Sequence, residues 1–429
     1  ESGLARSSRL CPFGQYSSRH VTHLRHPLLL IRTRLTQSTL RGLSMNWLRT
    51  TTCQSIMSSP ASCSPFTKAV VSSMRKLYPE SLADKSFDNT GLLLEAPFDP
   101  SRRQRNSVLL TIDLTTAVAD EAIRRRDSAV VAYHPIIFRG LKAITLENTQ
   151  QQSLLRLAQY GISVYSPHTA VDTVPGGMAD WLCDIVTGSF STTKPPPTER
   201  QVEAGLFYAE PAYPEPRRAA RTGSTEKSVP HKRTTIHPSP PPIPEGFESA
   251  GAGRLITFES PQRLPTVIDN ISAGIGYPAG IAIALPQSIK STRDATVHTV
   301  GVCPGSGSGV LLGGGSELPN LLVTGEMSHH EALAVTERGS VVIALSHSNS
   351  ERGYLGTVMQ QKLTDDLKRQ WKEDRETALR SVAESAKQGG AAPASSAESV
   401  YQDEMVEVAV SEADRDPYGI MVSHISPSV

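Results

Sequence analysis

Aromatic residues and cysteines are scarce in this chain. Only 5% of its 429 residues are Phe, Tyr or Trp, and its five cysteines (Cys11, Cys53, Cys63, Cys183, Cys303) are scattered, with no Cys-x-x-Cys pair. That pattern excludes a disulfide scaffold and a zinc ribbon, and an odd, dispersed set suits a reducing compartment. At 46.3 kDa the chain is large enough to bury a core without covalent staples. Long apolar runs are also missing. None approaches the ~18–20 residues that span a bilayer, the stretch Pro27 to Ile31 being the longest near the N-terminus, so no membrane partner is expected. Nor is there an excess of charge: 43 Lys and Arg stand against 42 Asp and Glu. This argues against a globally basic nucleic-acid binder, and direct nucleic-acid binding is not expected.

What positive charge there is sits at the front. Residues 1–59 carry eight arginines against Glu1 alone, which leaves the remainder mildly acidic. An Arg-, Ser- and Thr-rich, acid-poor opening has the composition of a mitochondrial transit peptide. Met45 and Met57 offer alternative starts, so the expected location is cytoplasmic or mitochondrial, with the nucleus open. The 31 prolines and 31 glycines suggest folded parts separated by looser ones.

Periodicity divides the remainder. In residues 60–190, Ser107 to Asp113, Ala129 to His134 and Ile162 to His168 read as strands, and Thr115 to Asp127 and Asn148 to Tyr160 as helices. Residues 251–356 repeat the style, with strands at Val297 to Cys303, Asn320 to Thr324 and Val341 to Ser346. Apolar strands alternating with helices imply crossover connections and a mostly parallel sheet, an α/β fold. Between these halves, 191–250 holds 12 prolines over Thr192 to Ser249 and reads as a disordered insertion. A charged helix (Thr357 to Lys387) and a low-complexity linker occupy 357–399. The last part, 400–429, supplies a strand at Met405 to Val410 and a tail that complete the core.

Polar residues recur where these strands end. His134, His168 with Asp172 four residues on, and His347 with Glu351 four residues on all follow apolar strands. In an open parallel sheet the carboxyl ends share one edge, where ligands bind. Imidazole with carboxylate and no cysteine suits a chemically open zinc, manganese, iron or nickel site better than a structural zinc. Glu326, His329 and His330 also look like metal ligands, but Ser328 with Glu331 forms a capping-box pattern, which leaves these three lining the pocket. Pro304 to Gly309 is glycine-rich after a strand, and reads either as a backbone anion cradle or as a plain turn.

Five ordered motifs carry a resemblance: Phe87 to Leu93 (FDNTGLL), Ala132 to Phe138 (AYHPIIF), His168 to Asp172 (HTAVD), Thr324-Gly325-Glu326 through His330, and Ser346 to Gly353 (SHSNSERG). Together they resemble the NIF-three-like family, whose bacterial members are labelled GTP cyclohydrolase I type II homologues. The resemblance implies two intertwined, structurally repeated α/β halves, a toroidal homohexamer and a dinuclear metal site. By motif the ligands would be His134, Asp172, His347 and Glu351, with up to two divalent ions per subunit, and His168 or Glu326 would move protons. Many bacterial members have His-His-Pro where this chain has Tyr133-His134-Pro135, which removes one imidazole from the second metal position. Two functions follow from the resemblance. One is a metal-dependent hydrolase acting on a small anionic or nucleotide-like substrate. The other is a regulatory or scaffold protein that binds a transcriptional adaptor, its metals structural.

Overall fold

Strands that are apolar at every position are stable only when both faces are covered. The computed structural model, which describes residues 62–191, 205–207, 215–216, 229–313, 315, 317–387 and 395–422, covers them with helices on one side and a shared core on the other. The basic opening 1–59, most of the Pro-rich stretch and the low-complexity patch lie outside the described residues.

The first half begins with α1 (Pro65–Leu77), started by Ser64, whose hydroxyl accepts from the Thr67 N–H, and by Pro65 at its first position. Then come β1 (Gly91–Leu94), β2 (Ser107–Thr111), α2 (Thr116–Arg125), β3 (Ala129–Ala132), α3 (Thr149–Gln159), β4 (Ser163–Ser166), α4 (Thr169–Thr173) and α5 (Met178–Val186). The strands lie in the order β1-β4-β3-β2, with β1 antiparallel at the edge and the others parallel. Three short strands follow, β5 (Phe190–Ser191), β6 (Gly205–Phe207) and β7 (Glu215–Pro216), of which β5 and β7 pair.

The second half comprises β8 (His231–Pro238), β9 (Gly251–Arg263), α6 (Leu264–Gly274), β10 (Ala282–Ala284), β11 (Thr296–Cys303), α7 (Ser308–Leu312), β12 (Leu321–Thr324), α8 (His329–Glu337) and β13 (Val341–Ala344). Its sheet runs β10-β13-β12-β11, again with an antiparallel edge and two parallel pairs. Order and sense thus repeat those of the first half. The sheets differ beyond this unit, because β11 is flanked by the antiparallel hairpin β9/β8. The fold is therefore α/β with two mixed sheets, and only the first is mostly parallel.

The hairpin also corrects the expectation of disorder through residue 250. Residues 231–238 form a regular edge strand because Pro230 and Pro238 bracket it and leave the β-branched Thr234-Thr235-Ile236 run free to pair.

The last part of the chain returns to the first half. After α9 (Arg352–Tyr354) and a π-helical turn at Leu355–Met359, α10 (Gln360–Lys387) packs on α1, and α11 (Ser395–Gln402) leads to β14 (Glu407–Val410), which adds in parallel beside β2. A final strand, β15 (Ile420–Val422), pairs with β6. One core joins both sheets: Val108 and Leu110 of β2 reach it with Val300, Val302 and Val323 of the second sheet. Leu109, pointing the other way, packs under α2 and α3. Arg254 on β9 grips Asp180 on α5 through Nε and Nη2, at 3.0 and 3.1 Å, so a buried ion pair also ties the halves.

Trp371 anchors α10. It is 1% exposed, meets Phe66 of α1 edge-on at 5.4 Å, stacks on Tyr401 at 5.7 Å and donates from Nε1 to the Asp403 carbonyl at 2.9 Å. Trp371→Ala is expected to cost about 3–5 kcal/mol of unfolding free energy, measured by urea denaturation.

Candidate metal centre

Each chemically active side chain follows a strand of the repeated unit. Asp113 comes after β2, His134 after β3, His168 after β4, Gly305 after β11, Glu326 after β12 and His347 after β13. The ladders end two residues earlier than hydrophobicity alone suggests, at Thr111, Ala132, Ser166 and Ala344, so the polar residues leave the sheet. Two of them do so with strain. His168 has φ +33° and Ser346 has φ +69°, values costly for residues other than glycine.

These ends meet in a cleft of about 550 Å³ lined by Asp113, Tyr133, His134, His168, Asp172, Gly305, His347 and Glu351, among others. His134 Nε2 lies 3.4 Å from Glu351 Oε2, and His347 Nε2 lies 3.5 Å from Glu351 Oε1. The far nitrogen of each ring is held by a carboxylate: His134 Nδ1 by Asp113 at 2.8 Å and His347 Nδ1 by Glu326 at 2.9 Å. Such outer carboxylates fix the tautomer and orient the inner nitrogen. His168 repeats the device, its Nδ1 bonded to Asp88 at 2.6 Å, with its ring 5.6 Å from that of His134.

One ligand atom from each of His134, His347 and Glu351 lies within 4.8 Å of the others, a spacing that can hold a metal ion. The Glu351 side chain is 2% exposed, and its Oε2 has no hydrogen-bond partner. A buried carboxylate oxygen without a donor is costly unless a cation completes it. Gly305 completes the cradle. A Cβ there would fall 2.5 Å from Glu351 Oε1 and 3.2 Å from His347 Nε2, so only glycine leaves the space open. The donor set and the gap therefore fit a divalent ion.

Electrostatics point the same way. Burial and the neighbouring Glu351 charge hold Asp172 well above the usual carboxylate range. Burial pulls the His134 imidazole down, but Glu351 and Asp113 outweigh it and push the group up to about 10. Glu326 is held low by the Ser306 hydroxyl and by His347. The cleft carries more negative charge than its imidazoles balance, a field that favours a cation.

Two backbone donors of the glycine-rich turn after β11 are already taken. The Gly305 N–H donates to Ser350 Oγ at 2.8 Å and the Gly307 N–H to Thr324 Oγ1 at 3.1 Å, so these donors clip the turn to the segments carrying His347 and Glu326. At α8 the Ser328–Glu331 capping box is formed.

A second layer clamps the site from the chain's last segment. Asp414 Oδ2 accepts from the Ile112 N–H at 2.7 Å, beside Asp113, and pairs with Arg352 Nη1, beside Glu351. Arg352 also donates to Ser348 Oγ at 2.8 Å, and that hydroxyl donates to Asp416 at 2.8 Å.

Two sheets that share a repeated four-strand unit, with a His/Glu cluster on their carboxyl edges, define an α/β protein with a metal-type cleft. The chain belongs to the Duf34/NIF3 (NGG1p interacting factor 3) family, whose model matches residues 66–380. It is 39% identical over 312 residues to the Protein NIF3 homolog of Schizosaccharomyces pombe, covering 72% of this chain and 92% of that one. It is 33% identical over 302 residues to the NGG1-interacting factor 3 of Saccharomyces cerevisiae, covering 69% and 90%. The crystal structure of the Bacillus cereus protein related to NIF3 shares its fold, with a TM-score of 0.51 at 18% identity over 83% of this chain and 98% of that one.

Of the residues singled out from sequence, His134, His347 and Glu351 converge. Asp172 lines the same cleft, where the Tyr133 hydroxyl bonds both its oxygens, at 2.8 and 2.9 Å. His168 lines the same cleft, and Glu326 sits behind His347. Asp113, Asp88 and Asp414 were missed. Asp113 carried a usable signal, since it ends a strand just as His134 does; Asp414 lies in a tail whose spacing says nothing about Ile112. Removing Asp414 leaves Arg352 buried and short of its partner. Asp414→Ala is therefore expected to destabilise the fold by about 3–5 kcal/mol, read from the shift of the urea midpoint.

Proposed function

We propose that the chain is a divalent-metal-dependent hydrolase acting on a small anionic or nucleotide-like substrate. The observation that carries this reading is the buried, partnerless Glu351 Oε2 facing the inner nitrogens of His134 and His347. In this reading His134, His347 and Glu351 hold the ion, which supplies Lewis acidity toward a phosphoryl or carbonyl oxygen and acidifies water. The chain's own residues do the rest. Asp113 and Glu326 hold the outer nitrogens of His134 and His347, so that both inner nitrogens face the ion, whose binding would displace the inner proton of His134. Asp88 does the same for His168, leaving Nε2 to take or give a proton in the cleft. Glu326 thus acts by orienting His347. Tyr133 keeps Asp172 occupied at the cleft floor.

The name of the budding-yeast relative favours a second reading, a regulatory or scaffold protein with a protein partner and a structural metal. A toroidal hexamer is compatible with either. The two readings part on what metal removal does, abolishing turnover under the first and loosening assembly under the second.

Elemental analysis of protein purified without chelator is expected to find one to two divalent ions per chain in the wild type. The His347→Ala and Glu351→Ala variants are expected to lose most of that metal, and chelator-sensitive release of phosphate or alcohol from small phosphate esters should fall with it. Metal-free wild type that is otherwise folded would sink the hydrolase reading. Gly305→Ala is expected to weaken metal binding at least about tenfold in calorimetric titrations. Because it forces alanine into φ +59°, it should also cost about 1 kcal/mol of stability.

A further inference from the structure

Beside the polar cluster the cleft has a wall of another character. Phe87 and Phe138 both line it, and they are 53% and 44% exposed in a chain with only nine phenylalanines. Their ring centroids lie 6.3 Å apart, tilted by 45°, and each meets the His168 ring edge-on, at 6.5 and 6.4 Å. The two rings belong to separate loops that are fastened together, since the Asn89 side chain donates to the Ile137 carbonyl. His168 is fixed in turn by Asp88, which also takes the Thr169 N–H at 3.2 Å. Ala252, Gly253 and Gly305, which also line the cleft, are small. No lysine or arginine is among the described lining residues.

A cleft with an acidic floor and no lysine or arginine in its lining offers little to hold an organic anion by ion pairing. Its affinity for the organic part of a ligand must come from the apolar wall. Two exposed, pre-positioned aromatic faces match a flat ring far better than an aliphatic chain, because stacking is strongest between planar π systems. A space of about 550 Å³ is of the size that takes a small organic ligand.

We propose that Phe87 and Phe138 form a stacking platform for a planar heteroaromatic ring of nucleobase size, and that the ligand of this cleft carries such a ring with its polar end at His134, His347 and Glu351. This rests on the metal-centre reading above and names the substrate class for the same site. The ring can belong to a nucleotide, a free base or a fused bicyclic heterocycle, which share this face.

The test compares adenosine 5′-monophosphate and guanosine 5′-monophosphate with ribose 5-phosphate, which keeps the sugar and phosphate but lacks the ring. Binding is measured by calorimetry on the full chain, with and without added manganese or zinc. The wild type is expected to bind the ring-bearing probes about 5- to 150-fold more tightly, the range that stacking on aromatic side chains supplies. The Phe87→Ala/Phe138→Ala double variant should lose that advantage while its metal content and far-UV circular dichroism stay unchanged. Leu146→Ala, at an exposed apolar residue not among those lining the cleft, should keep it.

Equal affinity for ring-bearing and ring-free probes in metal-loaded wild type overturns the platform and leaves the metal centre standing. A ring preference that persists without any metal uptake overturns the hydrolase reading and leaves the platform. A double variant that sediments as a smaller species yet keeps the ring preference assigns the two rings to contact with a second copy of the chain, and also overturns the proposal.

Discussion

The buried pair of Arg352 and Asp414 joins the parts of this protein that have to agree before there is a site. Arg352 follows Glu351 in the second half, and Asp414 belongs to the returning tail and holds the Ile112 amide, next to Asp113 in the first half. Charges taken out of water gain little net stability from one another, and here Arg352 Nε and Asp414 Oδ1 are left without hydrogen-bond partners. That makes the pair more useful as a fixture than as a source of stability. It permits one relative placement of the Glu351 segment and the end of β2, and the convergence of His134, His347 and Glu351 follows from that placement.

Repetition explains why the cluster is balanced between the halves. Both sheets run an antiparallel edge strand followed by three parallel strands in the same order, so equivalent strand ends carry chemically related residues. His134 follows β3 where Glu326 follows β12, and His168 follows β4 where His347 follows β13. In each half an imidazole is backed by a carboxylate from a neighbouring segment, Asp113 behind His134 and Glu326 behind His347. A single half provides part of a coordination shell, and the shared core brings the parts face to face.

Much of this was legible in the chain. Apolar runs such as AVVA and VVIA betray buried parallel strands, and the strand ends of the repeated unit lie within two residues of where hydrophobicity places them. The polar residues that follow them are visible for the same reason, which is how His134, His347 and Glu351 were found. What stayed hidden depends on distance in sequence. Nothing local says that the Tyr133 hydroxyl will occupy both oxygens of Asp172, or that Asp414 will hold Ile112, because each is a contact between segments whose order alone was known. The β8 strand was hidden differently. Its flanking prolines dominate the composition, whereas pairing depends on the proline-free run from His231 to His237 between them.

The parallel addition of β14 to β2 gives the chain a particular history during synthesis. Ile112 waits for a partner made 302 residues later, an interval of about 15–60 s at 5–20 residues per second. Throughout that time β2, buried at all five positions in the finished protein, has one edge without its neighbour. Long-range pairing of this kind slows folding, because loop closure must precede the contacts that reward it. The cleft consequently matures only after Asp414 has been made, and until then the unpaired β2 edge is where aggregation and chaperone capture compete with folding.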